Sequence, residues 1–86
     1  MTSIETFVVA PTGATNLAPP GTITALQVID NKTTILLVAE LKHDTLRKAH
    51  PVVITALEDG DSIPDNARYI GTVRVGFNIV HFYIGR

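Results

Sequence analysis

An 86-residue chain has room for one hydrophobic core, so residues 1–86 are read as a single domain. The absence of cysteine excludes disulfides and thiolate metal sites, and a net charge of −1 with 17% charged residues excludes the strongly basic surface of a sequence-specific nucleic-acid reader. A hydrophobic fraction of 45% excludes the disordered class, and no apolar run approaches the ~20 residues of a membrane span.

Met1 to Ala10 lacks the basic and long apolar segments of a signal peptide, so a cytoplasmic location is expected. Within it Thr6 to Ala10 reads as a first short strand, stopped by Pro11-Thr12-Gly13. A second extended piece, Thr15 to Ala18, meets Pro19-Pro20-Gly21, which cannot belong to a central strand and marks a turn. Thr22 to Ile29 and Thr33 to Leu41 flank Asp30-Asn31-Lys32 and predict a β-hairpin, because Asn and Asp tolerate the positive φ that tight turns demand. The sequon Asn31-Lys32-Thr33 is therefore read as turn chemistry rather than as a glycan site. Lys42 to His50 is either a loop or one short helical turn, with Asp44 as its cap and Pro51 as its end. Val52 to Leu57 is a further strand, Glu58 to Ser62 an acidic loop, and Ile63 to Asn66 another turn. Arg68 to Val75 and Phe77 to Ile84 form a second hairpin about Gly76.

These elements predict an all-β fold: a small antiparallel sandwich or partly open barrel of six to seven short strands, with two hairpins. One face of the last strand carries Phe77, Ile79, His81 and Tyr83, and the other Asn78, Val80, Phe82 and Ile84. Thr33, Ile35, Leu37, Ala39 and Leu41 share one face of the fourth strand, while Leu36 and Val38 sit on the other. Half-exposed antiparallel strands alternate more cleanly. Either the sheet closes on itself or a second subunit covers a face, so a homo-oligomer is expected.

From Pro19 onward the order of features resembles a family of small, uncharacterised phage and prophage proteins. The likeness rests on Pro20-Gly21, Leu26-Gln27-Val28, Ile63-Pro64, Tyr69-Ile70-Gly71-Thr72 and Val80-His81-Phe82, and covers roughly three quarters of the chain. Two features depart from the pattern. The family often has Trp in the second hairpin strand, where Leu36-Leu37-Val38-Ala39 stands here, and Gly-Thr-Gly where Glu58-Asp59-Gly60-Asp61 stands. The resemblance implies a viral or prophage origin and no established activity.

The chemistry-bearing residues are sparse. His43 and His50 stand seven apart and His81 far along the chain, which is not zinc-ligand spacing. Four carboxylates, Glu58, Asp59, Asp61 and Asp65, fall within eight residues but without an EF-hand pattern, so no metal and no cofactor are expected. The basic stretch Lys42 to His50 could pair with this acidic loop across protomers, and Arg47, Lys48 or Arg74 could meet a phosphate, though no Gly-rich phosphate loop accompanies them. No Gly-x-Ser-x-Gly or other nucleophile motif occurs, so the chain is not expected to be an enzyme. The candidate binding residues are Arg68, Tyr69, Arg74 and His81, which bring Arg, Tyr and His onto adjacent strands beside a mid-strand glycine, Gly71. Strict alternation sets Tyr69 opposite to Arg74, so convergence requires a bulge at Gly71 or two facing protomers. The expected function is a phage or prophage accessory protein that binds a host protein or a small signalling nucleotide. The alternative is a virion component such as a capsid-decorating or tail-associated protein.

Overall fold

Strands form wherever β-branched and aromatic residues run together, and each run ends at a residue that leaves the extended region. The computed structural model describes residues 1–32, 34–43 and 49–85. In it seven strands follow in order: β1 (Thr2–Val9), β2 (Gly13–Leu17), β3 (Gly21–Asn31), β4 (Thr34–His43), β5 (Val52–Leu57), β6 (Arg68–Val75) and β7 (Asn78–Gly85). All pairings are antiparallel, in a three-stranded sheet ordered β1-β4-β3 and a four-stranded sheet ordered β2-β5-β7-β6. No helix occurs among the described residues; Lys42 and His43 finish β4, and residues 44–48 of the expected loop or helical turn lie outside them.

The sheets pack face to face, and β3 lies against β6 without pairing to it, so the sandwich does not close into a barrel. The core is built from the inner faces of the two central strands. Ile35, Leu37, Ala39 and Leu41 of β4 are buried on one side, and Val80, Phe82 and Ile84 of β7 on the other, with Val9, Ile54 and Ala56 completing the set. Each large side chain so buried stabilises the fold by about 1.5–3 kcal/mol. No polar or charged residue is buried among the described residues, so the core carries no desolvation cost. Phe77, which the alternation places on β7, instead occupies the β6–β7 turn beside Gly76 (φ 62°) and is 97% exposed.

Several boundaries differ from those that local propensity predicts. β1 starts at Thr2 rather than Thr6, because residues 2–6 have β4 residues 38–42 as ladder partners. A weak strand former becomes extended when a neighbour offers a full set of hydrogen bonds. In the β3–β4 hairpin Asp30 and Asn31 continue the ladder, Asn31 opposite Thr34, so the positive φ falls on Lys32 (φ 58°) instead. The Pro-Gly turn has its own reason. Gly21 pairs with His43, and a methyl group there would collide with the Lys42 carbonyl oxygen and sit 2.9 Å from His43 Cα. The Ile-Pro turn closes through the Ala67 N–H, which donates to the Pro64 carbonyl at 3.3 Å.

The contrast between two phenylalanines tests this packing. Phe82→Ala should cost about 3–5 kcal/mol by urea denaturation, as expected for an emptied core site. Phe77→Ala should change stability by less than about 0.5 kcal/mol, because the ring touches little. Equal losses at the two positions would contradict the assignment of inner and outer faces.

Candidate functional site

The outer face of the four-stranded sheet is where the chemistry-bearing residues gather, and an irregularity in β6 is the cause. Tyr69 lies opposite Tyr83 and Gly71 opposite Phe82, which leaves Ile70 as an extra residue in the ladder. In a regular strand Tyr69 and Thr72 are three apart and point to opposite faces. The inserted residue resets the alternation. Tyr69, Thr72 and Arg74 therefore share the outer face with their partners Tyr83, His81 and Ile79. Gly71 itself is not needed for clearance: a methyl there would meet Val28 at an ordinary 3.9 Å.

A chain of hydrogen bonds crosses this face. The Tyr69 hydroxyl lies 2.5 Å from Thr72 Oγ1, Thr72 Oγ1 lies 2.9 Å from His81 Nδ1, and His81 Nε2 lies 2.6 Å from Asp59 Oδ1. Asp59 comes from the acidic loop just past β5. That loop is a tight turn in which the Glu58 N–H donates to Asp61 Oδ2 at 2.8 Å, the Asp61 N–H donates to the Glu58 carbonyl at 3.1 Å, and Gly60 takes φ 94°. Tyr69 and Tyr83 meet edge to face, with ring centroids 5.5 Å apart. The geometry assigns one consistent direction for the protons. A carboxylate only accepts, so Nε2 of neutral His81 carries the hydrogen, Nδ1 accepts from the Thr72 hydroxyl, and Thr72 accepts from Tyr69. Protonation of His81 turns Nδ1 into a donor and reverses the Thr72 hydroxyl.

Hydroxyl, imidazole and carboxylate in series is also the order of an activated nucleophile. Here, however, Asp59 is 85% exposed, and none of these four residues lines the cavities of about 1010 Å³ and 270 Å³. The cluster lies on the outer sheet face, with its hydrogen-bonding groups beside the Tyr69–Tyr83 aromatic pair.

Of the four residues singled out from the sequence, Tyr69 and His81 belong to this chain of bonds. Arg74 shares their face, but its Nε donates to the Gly76 carbonyl at 3.1 Å and it borders the smaller cavity, about 270 Å³, near Asp30 and Lys32. Arg68 pairs with Ile84 and so takes the opposite face, at the mouth of an open cavity of about 1010 Å³ at one end of the sandwich. Full convergence of the four therefore does not occur within one chain. Thr72 and Asp59 are the members that sequence reasoning missed. Asp59 follows Leu57, the cross-strand partner of His81, so only knowledge of the β5–β7 pairing could have placed it.

The remaining histidines stand apart: His43 Nε2 lies 2.5 Å from Ser3 Oγ, and His50 lines the large cavity. No group of three metal-ligating side chains is gathered among the described residues, and Arg47 and Lys48 lie outside them. No helix among the described residues is long and apolar enough to cross a membrane. No family model, curated protein or solved structure matches the chain.

The proton order is open to measurement. Long-range nitrogen–proton correlation spectra should show neutral His81 as the Nε2–H tautomer. Thr72→Val, which keeps shape and removes the hydroxyl, should shift the tautomer populations and leave the melting curve in place. A dominant Nδ1–H form in the wild type would overturn the assignment.

Proposed function

We propose that the chain is a non-enzymatic binding protein that works as a homo-oligomer and engages a host component through the outer face of the four-stranded sheet. The observation that carries this reading is the extra residue at Ile70, which brings Tyr69 and its partner Tyr83 together on the outer face that Thr72, Arg74, Ile79 and His81 share by alternation. Arg, Tyr and a few apolar side chains are the types that dominate binding energy at interfaces. Tyr69 is 57% exposed, so much of its surface is free to contact a partner. The resemblance to small phage and prophage proteins supplies the setting, the cytoplasm of a bacterial host. The partner is then a host protein, such as a defence effector, or a small signalling nucleotide whose base would stack on tyrosine and whose phosphate would meet arginine.

A virion component is the second reading, and one observation favours it. The outer face of the three-stranded sheet leaves Ile4 and Val8 71% and 64% exposed, beside the partly exposed Leu36 and Val38, a surface suited to packing into a larger assembly. A structural part would be found stoichiometrically in purified virions, and an accessory protein would not.

Affinity capture from host cells tests the proposal. Protein retained by the tagged chain would be identified by mass spectrometry, and nucleotide by chromatography of an acid extract. Arg74→Ala and His81→Ala should each lower the retained partner at least about tenfold, the loss of one hot-spot side chain, with unchanged melting curves. Full retention by both variants would overturn the proposed surface. Loss only with Arg47→Ala or Lys48→Ala would move it to the basic segment.

A further inference from the structure

The two sheets are unequal, and their free edges lie on the same side of the sandwich. Following neighbours around the molecule gives the order β1, β4, β3, then β6, β7, β5, β2, with β3 against β6 as the closed side. β1 and β2 are left as the two open edges. They run antiparallel to one another, joined by residues 10–12, and the Ala10 N–H donates to Thr15 Oγ1 at 2.9 Å at that corner. The edges differ in how they are guarded. β3 and β6 each carry an extra residue, at Thr24 and at Ile70, and they cover one another. β1 pairs with β4 without interruption from Thr2 to Val9 and holds no glycine, no proline and one charge, Glu5. A long regular edge of this kind is a template for another strand. The flank of the core also opens here, since Phe7 of β1 and Leu17 of β2 pack on the core and are only partly buried.

We infer that the occupant of this open side is a second copy of the chain, with β1 of each protomer pairing with β2 of its partner. This names the interface of the homo-oligomer and rests on that reading. The strand numbers select the arrangement. The four-stranded sheet reaches one strand further than the three-stranded sheet. A two-fold axis along the strands, between the layers, sets the three strands of one protomer beside the four of the other, and four beside three. Two continuous seven-stranded sheets result, with no overlap and no open edge between the subunits. Such an axis preserves strand direction, so β1 meets the partner's β2 antiparallel, as β1 and β2 already are within one chain. A β1-to-β1 dimer does not fit, because the projecting β2 strands of both copies would compete for the same place in the second layer. The interface is isologous, as a two-fold contact must be.

Side-chain alternation restricts the register. Odd-numbered residues of β1 share a face with the inward Ile35, Leu37 and Ala39, and odd-numbered residues of β2 share one with Ile54 and Ala56. Inward residues must meet inward residues, or every side chain is on the wrong side. Exposed Thr6 therefore lies opposite Ala14 or Asn16 of the partner's β2, at the roughly 5 Å spacing of antiparallel neighbours that a disulfide also spans.

The chain has no cysteine, which makes cross-linking clean. Thr6→Cys/Asn16→Cys and Thr6→Cys/Ala14→Cys would be oxidised at micromolar concentration and run on non-reducing gels, with light scattering of the wild type alongside. A dimeric wild type, with at least one double variant converted to a covalent dimer and no single variant converted, is the expected result. A wild-type monomer would overturn both this interface and the homo-oligomer reading. An oligomeric wild type whose double variants stay at monomer mass, or whose Thr6→Cys variant cross-links by itself, would overturn the interface and leave the oligomer standing.

Discussion

Everything in this fold hangs on the packing of β4 against β7. Each is flanked by strands on both sides, so its backbone groups are satisfied in the ladder and its inner side chains are free to be wholly apolar. Leu37 and Phe82, both fully buried, mark the thickness of the sandwich. The remaining strands are held through these two: β1 and β3 align to β4, β5 and β6 to β7, and β2 in turn to β5. An 86-residue chain has little else to draw on, without cysteine and with no buried polar network among its described residues. The same constraint explains the apolar second faces. Ile79 and Tyr83 on β7, and Leu36 and Val38 on β4, are not needed to fill the core of one chain, since the inner residues already fill it.

Against that rigid frame the extra residue at Ile70 has a large effect. It leaves the β7 side of the pairing unchanged and re-aims only the β6 side chains that precede it. Without it Tyr69 would share the face of Val73, which packs on the core, and its hydroxyl would need a buried partner. With it, the hydroxyl reaches Thr72 and continues the row of hydrogen bonds to His81 and Asp59. The site thus depends on a register choice that costs one ladder position and gains a polar row on the solvent side.

This is also where legibility in the sequence ends. Alternation in Thr33 to Leu41 and in Phe77 to Ile84 separates the two faces of each strand, but both faces are largely apolar, and which row is buried follows only from the packing of the two sheets. Val52–Leu57 and Arg68–Val75 were bounded correctly, since glycine, proline and charged residues punctuate them. The reach of β1 back to Thr2 was not readable, because Ser3 and Glu5 are extended only through β4. The composition of the two strands points to Arg68 together with Tyr69, Arg74 and His81, yet Arg68 and Tyr69 are neighbours in β6 and face opposite ways, and with the extra residue at Ile70 it is Arg68 that takes the other face, opposite Ile84. Asp59 was invisible for a related reason: strand order is set by packing between distant segments, and no local pattern records that β5 lies beside β7.

The location of the open edges bears on how the polar face could be used. β1 and β2 stand at the other end of the strand order from the face of β6 that carries Tyr69 and Thr72, although Arg74, near the end of β6, lines the small cavity that Val8 to Pro11 also line. Pairing along the open edges would leave that face uncovered. A two-fold axis along the strands exchanges the layers, so the outer face of one four-stranded sheet would look away from the other. The two polar faces would then be back to back, and arginines or tyrosines from two protomers would not converge on one ligand. Each face would bind independently, and one dimer could hold two partners or bridge two sites on a larger one. For a surface this small the second contact matters: linking two weak sites on one rigid body raises the overall affinity without any new contact, provided the partner can reach both.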